Sequence, residues 1–267
     1  MPKSIIFPVN NKGGVGKTSL SVDLITMLSV DYNVGVIDMD NQGTMYGTLT
    51  GDYSLGSQDT SAYSALETRV VRLHEGAQFR FAQGSKRLGI KVEPGTAPVA
   101  IFPLGMIEDN PRSIQRLRSI VKEDMSSIDM LLVDLPPIPH PRTILKQTLM
   151  PAVEALGKDA DLFPLIVTTP EKNTLDIGLK GYALIHKYLV SQGVPEHRVH
   201  PIVVVNKVSV GVQRGRLVFG SIDKNDRSKL RDLRIIYDAS SHLEGCRYFD
   251  FRKRFRFNGR VYRVAWM

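Results

Sequence analysis

Asn10-Asn11-Lys12-Gly13-Gly14-Val15-Gly16-Lys17-Thr18-Ser19 decides the fold of this 267-residue chain. The apolar run Ser4-Ile5-Ile6-Phe7-Pro8-Val9 precedes it and reads as a buried strand. Leu20 to Leu28 follows, with apolar residues spaced as on a helix. A strand, a glycine-rich turn and Gly-Lys-Thr opening a helix make a phosphate loop credible. Glycines let backbone N–H groups curl around phosphate oxygens, and the helix N-terminus adds partial positive charge. In that setting Lys17 reaches the β- and γ-phosphates and the Thr18 hydroxyl ligates Mg²⁺.

The ordinary pattern G-x-x-x-x-G-K-[ST] fails by one residue, because Asn11 stands where the first glycine belongs. A second lysine, Lys12, precedes Gly13-Gly14 instead. This K-G-G-x-G-K-[ST] form is the deviant Walker A motif, and the chain resembles the ParA/MinD family of P-loop ATPases. The resemblance implies ATP bound by Lys12, Gly13, Gly14, Val15, Gly16, Lys17, Thr18 and Ser19. It also implies an ATP-dependent homodimer, since the family's extra lysine, here Lys12, crosses to the partner subunit's nucleotide.

Three further motifs end apolar runs. Asp134 closes Met130–Val133 and precedes Leu135-Pro136-Pro137. It matches a Walker B aspartate, which holds Mg²⁺ through water; a helix cap is the plainer alternative. Asp38-Met39-Asp40-Asn41-Gln42-Gly43 resembles the family's D-x-D-P-Q-G signature, with Asn41 in the proline position. The resemblance places Asp38 near Mg²⁺ and makes Asp40 the residue that positions the attacking water. Alternation puts the two aspartates on one side of an extended segment. Asn206-Lys207-Val208-Ser209 follows Ile202–Val205. In this position the family uses an asparagine on adenine, and Ser209 in place of the aspartate of N-K-x-D favours ATP over GTP. Thr168-Thr169-Pro170 resembles a loop that follows a core strand in relatives.

Strand-like runs at 33–38, 98–103, 129–134, 162–168 and 200–206 alternate with helical stripes at 111–125, 143–156 and 174–190. That alternation predicts an α/β fold, a mainly parallel twisted sheet with helices on both faces. Ligands in such sheets sit at the carboxyl ends of the strands, where every motif above falls. Residues 41–98 are less legible: 43–62 is rich in Gly, Ser and Thr, and 78–82 alternates like a ribbon. The expected division is an ATPase core over 1–207 and a divergent basic region over 208–267, packed on the same domain. A first strand so near the start predicts no leader peptide, and no run approaches the length of a membrane span. The only cysteine, Cys246, excludes an internal disulfide framework and argues against the family's iron–sulfur and metal-delivery branches, which need cysteine pairs. A cytoplasmic, nucleoid-associated location is the expectation.

The net charge of +8 is unevenly placed. Residues 206–267 hold fifteen Lys/Arg against six Asp/Glu, whereas 1–205 hold twenty against twenty-one. Such asymmetry points to a polyanionic partner, nucleic acid or an anionic membrane. Asn258-Gly259 between alternating segments signals a C-terminal β-hairpin. The expected split sets Phe255, Phe257, Val261 and Val264 on one face and Arg254, Arg256, Arg260 and Arg263 mainly on the other. With Arg252 and Lys253 these cations form a candidate surface for non-specific DNA. A solvated edge blunted by charge is the plainer reading, and a protein-docking surface a further one. The tail lacks the amphipathic helix by which MinD-type relatives bind membrane, so membrane ranks behind DNA. The resemblance to ParA-type proteins further implies a ParB-like partner that stimulates hydrolysis.

Overall fold

The computed structural model describes residues 4–29, 32–39, 43–53, 69–71, 99–103, 111–124, 127–136, 145–146, 149–156, 160–169, 172–206, 210–213, 216–219, 254–257 and 260–266. In chain order these form β1 (Ser4–Val9), α1 (Lys17–Leu28), β2 (Val34–Asp38), α2 (Thr44–Thr50), β3 (Arg69–Val71) and β4 (Val99–Pro103). They continue with α3 (Pro111–Ser119), extended by a π turn over Ile120–Asp124, then β5 (Met130–Asp134), α4 (Leu149–Leu156), β6 (Asp161–Thr168) and α5 (Lys172–Ser191). A 3₁₀ turn at Glu196–Arg198 leads to β7 (Ile202–Val205), β8 (Val210–Gln213), β9 (Arg216–Phe219), β10 (Arg254–Phe257) and β11 (Arg260–Trp266).

The sheet runs β10-β11-β7-β6-β1-β5-β2-β4-β3. The run from β7 to β4 is parallel throughout, as the alternating sequence pattern predicts. β3 pairs antiparallel with β4, and β8 with β9 in a separate ribbon. Parallel strands bury both faces, which is why their sequences are continuous apolar runs. Alternation then divides the side chains between two cores. Ile5, Phe7, Leu131, Val133 and Ile166 pack with Leu117, Leu149, Tyr182 and Ile185 of α3, α4 and α5. Ile6, Val36, Leu132 and Val167 pack with Leu20, Ile25, Met45 and Leu49 of α1 and α2. Pro8 lies in an inner strand, where a missing N–H is normally excluded. It is tolerated past Ile6↔Leu132, where β1 has left its ladder with β5 and pairs onward with β6 alone.

Several elements depart from the sequence reading. Helix α2 occupies part of the stretch read as Gly/Ser/Thr-rich, and the ribbon expected at 78–82 lies outside the described residues. The helix expected over 143–156 is described as Leu145-Lys146 and Leu149–Leu156. β10 and β11 pair antiparallel with Phe257 opposite Arg260, and β11 adds parallel to β7. The turn residues Asn258 and Gly259 lie outside the described set. The register sets Arg256 opposite Val261 and Phe255 opposite Tyr262.

Candidate phosphate-binding site

The loop leaves the carboxyl end of β1 and enters α1 through Gly16, which is left-handed at φ 93° and ψ 29°. Only glycine adopts that conformation without strain, and a Cβ there would also run into the Asn206 amide. Gly14 is left-handed as well. Gly16 starts the helix with its carbonyl, which accepts from the Leu20 N–H at 2.9 Å. No side chain caps α1, so its first N–H groups belong to the loop's concavity, the arrangement that receives phosphate. Gly13, Gly14 and Ser19 are exposed, Lys12 and Thr18 half-buried, and Lys17 is buried on the first turn.

Parallel pairing brings the carboxylates beside this loop. Asp38 and Asp134 are register partners at the ends of β2 and β5, and both are buried. Thr18 Oγ1 donates to Asp134 Oδ2 at 2.9 Å, and Ser21 Oγ donates to Oδ1 at 3.4 Å. The Met39 N–H donates to the Asp134 carbonyl at 3.2 Å, locking the two strand ends together. Asp38 accepts from the Tyr46 N–H at 2.7 Å. Tyr46 is the third residue of α2, whose N-cap Gly43 offers no side chain, so Asp38 caps that helix from the sheet. Asn206 donates from Nδ2 to the Val15 carbonyl at 3.0 Å, and its own N–H donates to the Thr168 carbonyl at 2.7 Å.

Lys12, Lys17, Thr18, Asp38, Asp134 and Asn206 are therefore gathered at one edge of the sheet from four strand ends. Asp40, Arg252 and Lys253 lie outside the described residues; Arg254, Arg256, Arg260 and Arg263 are described as backbone positions of β10 and β11. The sequence reading missed Asn10, which accepts from the Lys12 N–H through Oδ1 at 2.8 Å. It also missed Ser21, although its place three residues after Thr18, one helical turn on, was the available signal. Thr168-Thr169 proves to be part of a hydroxyl cluster. Thr174 Oγ1 lies 2.9 Å from the hydroxyls of both Thr168 and Thr169.

No group of three or more His, Cys, Asp or Glu is arranged as a metal site among the described residues. A divalent ion here would take the Thr18 hydroxyl directly and the Asp134 carboxylate through water, with the rest of its shell from phosphate and water. Mg²⁺ is bound in that way beside nucleotides, so the Thr18–Asp134 pair fits it. When bound, Mg²⁺ neutralises charge on the phosphate oxygens.

Residues 6–237 match the family described as CobQ/CobB/MinD/ParA nucleotide binding domain. The chain belongs to this family. It is a P-loop ATPase domain of the ParA/MinD type, as the loop sequence implied. Among CobQ/CobB/MinD/ParA relatives, the iron-sulfur cluster carrier protein of Clostridium perfringens (strain 13 / Type A) is 28% identical over 198 residues, 73% of this chain and 63% of that protein. The cytosolic Fe-S cluster assembly factor Nubp2 homolog of Anopheles gambiae is 26% identical over 176 residues, 65% of this chain and 60% of that one. This chain thus spans less than two thirds of the length of either relative. A plasmid partition protein of Borrelia burgdorferi B31, bound to AMPPNP, superposes with a TM-score of 0.49 at 14% identity, covering 88% of this chain and 83% of that one. No described helix is long and apolar enough to cross a membrane.

Proposed function

We propose that this chain is a ParA-like partition ATPase. ATP builds a sandwich dimer, the dimer grips DNA without reading its sequence, and a ParB-like centromere-binding partner stimulates hydrolysis and release. The observation that carries the ATP-dependent dimer in this reading is the second lysine, and the DNA grip rests on the basic charge after residue 205. Lys17 already occupies the first turn of α1, so Lys12 is surplus to a one-chain phosphate loop and suits a nucleotide held across an interface. Gly13 to Ser19 cradle the phosphates, Thr18 with Asp38 and Asp134 serves the Mg²⁺ side, Asp40 positions water and Asn206 faces adenine. ATP and Mg²⁺ favour the dimer, and loss of the γ-phosphate removes the contacts that favoured it. A cytoplasmic, nucleoid-associated location follows from such a cycle.

Sedimentation with ATP–Mg²⁺ and with ADP tests this. The wild type should dimerise with ATP alone. Lys12→Ala should stay monomeric, and Asp40→Ala should form an ATP dimer that does not turn over. Rapid hydrolysis by Asp40→Ala would remove the role assigned to that residue, and ATP dimers of Lys12→Ala would remove the interface role of Lys12.

The names of the two sequence relatives favour a second reading, an iron–sulfur cluster carrier. Clusters are held by cysteine thiolates, usually four. With one cysteine in 267 residues, two copies supply only two. Anaerobic reconstitution with iron and sulfide should leave no cluster absorbance; a stable chromophore lost in Cys246→Ser would favour the carrier instead. A MinD-like membrane cycle is separated from the DNA reading by flotation on anionic liposomes, where ATP should leave the chain unbound.

A further inference from the structure

Asn10 is the first residue after β1, and it is buried at the foot of the loop, 2% exposed. Its side-chain oxygen accepts from the Lys12 N–H at 2.8 Å. Its amide nitrogen donates to the Val167 carbonyl at 2.6 Å and to the Thr174 carbonyl at 3.1 Å. Those carbonyls belong to β6 and to the first turn of α5. A primary amide has two N–H donors, and both find acceptors here. The opposite orientation would set its oxygen against two carbonyls, so the partners dictate which way the amide faces.

The receiving junction is shaped for this contact. Gly178 lies one turn beyond Thr174 on α5, and a Cβ there would come within 3.1 Å of Asn10 Nδ2 and 3.0 Å of Ile166 Cγ2. A glycine inside a helix is disfavoured relative to alanine, and here it clears room for the amide. Thr174 is itself held by Thr168 and Thr169, whose hydroxyls each lie 2.9 Å from its Oγ1. The Thr169 N–H also donates to that oxygen at 3.2 Å. One side chain therefore links the backbone of Lys12 to an anchored β6–α5 junction more than 150 residues away in sequence.

We propose that Asn10 is a positioning residue for Lys12, holding that lysine against the β6–α5 junction so that it meets the nucleotide of a second copy of the chain. This rests on the interface role given to Lys12 above. Asn10→Ala removes the tie while leaving Gly13 to Thr18 in place. ATP-dependent dimerisation should then weaken by about tenfold, and ADP affinity should change by less than about threefold. Gly178→Ala keeps the amide but presses on it. It should weaken dimerisation in the same direction, with ADP affinity again within about threefold of wild type and a cooperative melt showing that the chain is folded. Asn10→Ser can still accept from the Lys12 N–H in a short turn but cannot span to Val167 and Thr174, so it should not rescue.

Sedimentation with ATP–Mg²⁺, ADP binding and thermal melting of the full chain decide the matter. Wild-type dimerisation by Asn10→Ala and Gly178→Ala would overturn the proposal, as would rescue by Asn10→Ser. So would ADP affinity falling in step with dimerisation, the mark of a merely structural residue. Should Asn10→Ala fail to fold, Gly178→Ala decides alone. Lys12→Ala measured in parallel separates the two ideas. Its failure to dimerise beside normal behaviour of Asn10→Ala and Gly178→Ala defeats the positioning role only, whereas normal dimerisation by Lys12→Ala defeats the reading beneath it.

Discussion

Two hydroxyls one helical turn apart, Thr18 and Ser21, donate to the two oxygens of Asp134. Their distances, 2.9 and 3.4 Å, make Thr18 the stronger partner and Ser21 the weaker. If Thr18 turns to a metal ion, Ser21 keeps a hold on the carboxylate. Ser21→Ala should therefore raise the Mg²⁺ needed for half-maximal hydrolysis by about threefold, the scale of one modest hydrogen bond, and recover at saturating Mg²⁺. Thr18→Ala should not recover. An unchanged Mg²⁺ titration for Ser21→Ala would show that Asp134 needs no such support. Thr18 and Asp134 were legible in sequence because each ends a motif with a fixed grammar. The capping role of Asp38 was not, because its partner is a backbone N–H in α2, a helix rich in Thr and Gly that carries no propensity signal.

Elements at the other end of the sheet hold the crossover from α5 to β7. Asp161 opens β6 and accepts from Arg198 Nη1 at 3.3 Å and pairs with His200 Nε2 at 3.1 Å. Burial alone would raise the Asp161 carboxyl, but the hydrogen bonds from His200 and Arg198, with their positive charge, outweigh it and hold the group below its ordinary value. A carboxyl lowered on folding adds stability above its unfolded pKa and loses it as pH falls through the folded one. Asp161→Asn should then cost about 1 kcal/mol at pH 7 for such a partly exposed pair. The gap to wild type should close in urea melts once pH drops below the ordinary value of 3.8; a gap constant from pH 7 to 3 would refute this. The strands β1, β2, β5, β6 and β7 were legible because burial on both faces leaves no polar alternation. β3 and the β8–β9 ribbon were not, because Arg69, Gly211, Gln213 and Arg216 interrupt their short apolar runs.

At the scale of the whole molecule the sequence yields the class of sheet but not its order. Alternating strands and helices require parallel crossovers, yet nothing in the apolar runs says that β5 inserts between β1 and β2. That insertion is what sets Asp134 between the loop and Asp38. Charge was legible because it is additive: the excess lies entirely after residue 205. The central claim is a nucleotide switch that controls a grip on DNA. A DNA-binding titration with no nucleotide, ADP and ATP, at two salt concentrations, tests it most directly, using wild type and a variant with Arg252, Lys253, Arg254 and Arg256 changed to Ala. Binding should appear with ATP only and weaken with salt, and the variant should bind less tightly, its salt slope reduced by up to about 3.6. Binding that ignores nucleotide, or no binding under any condition, would contradict the account.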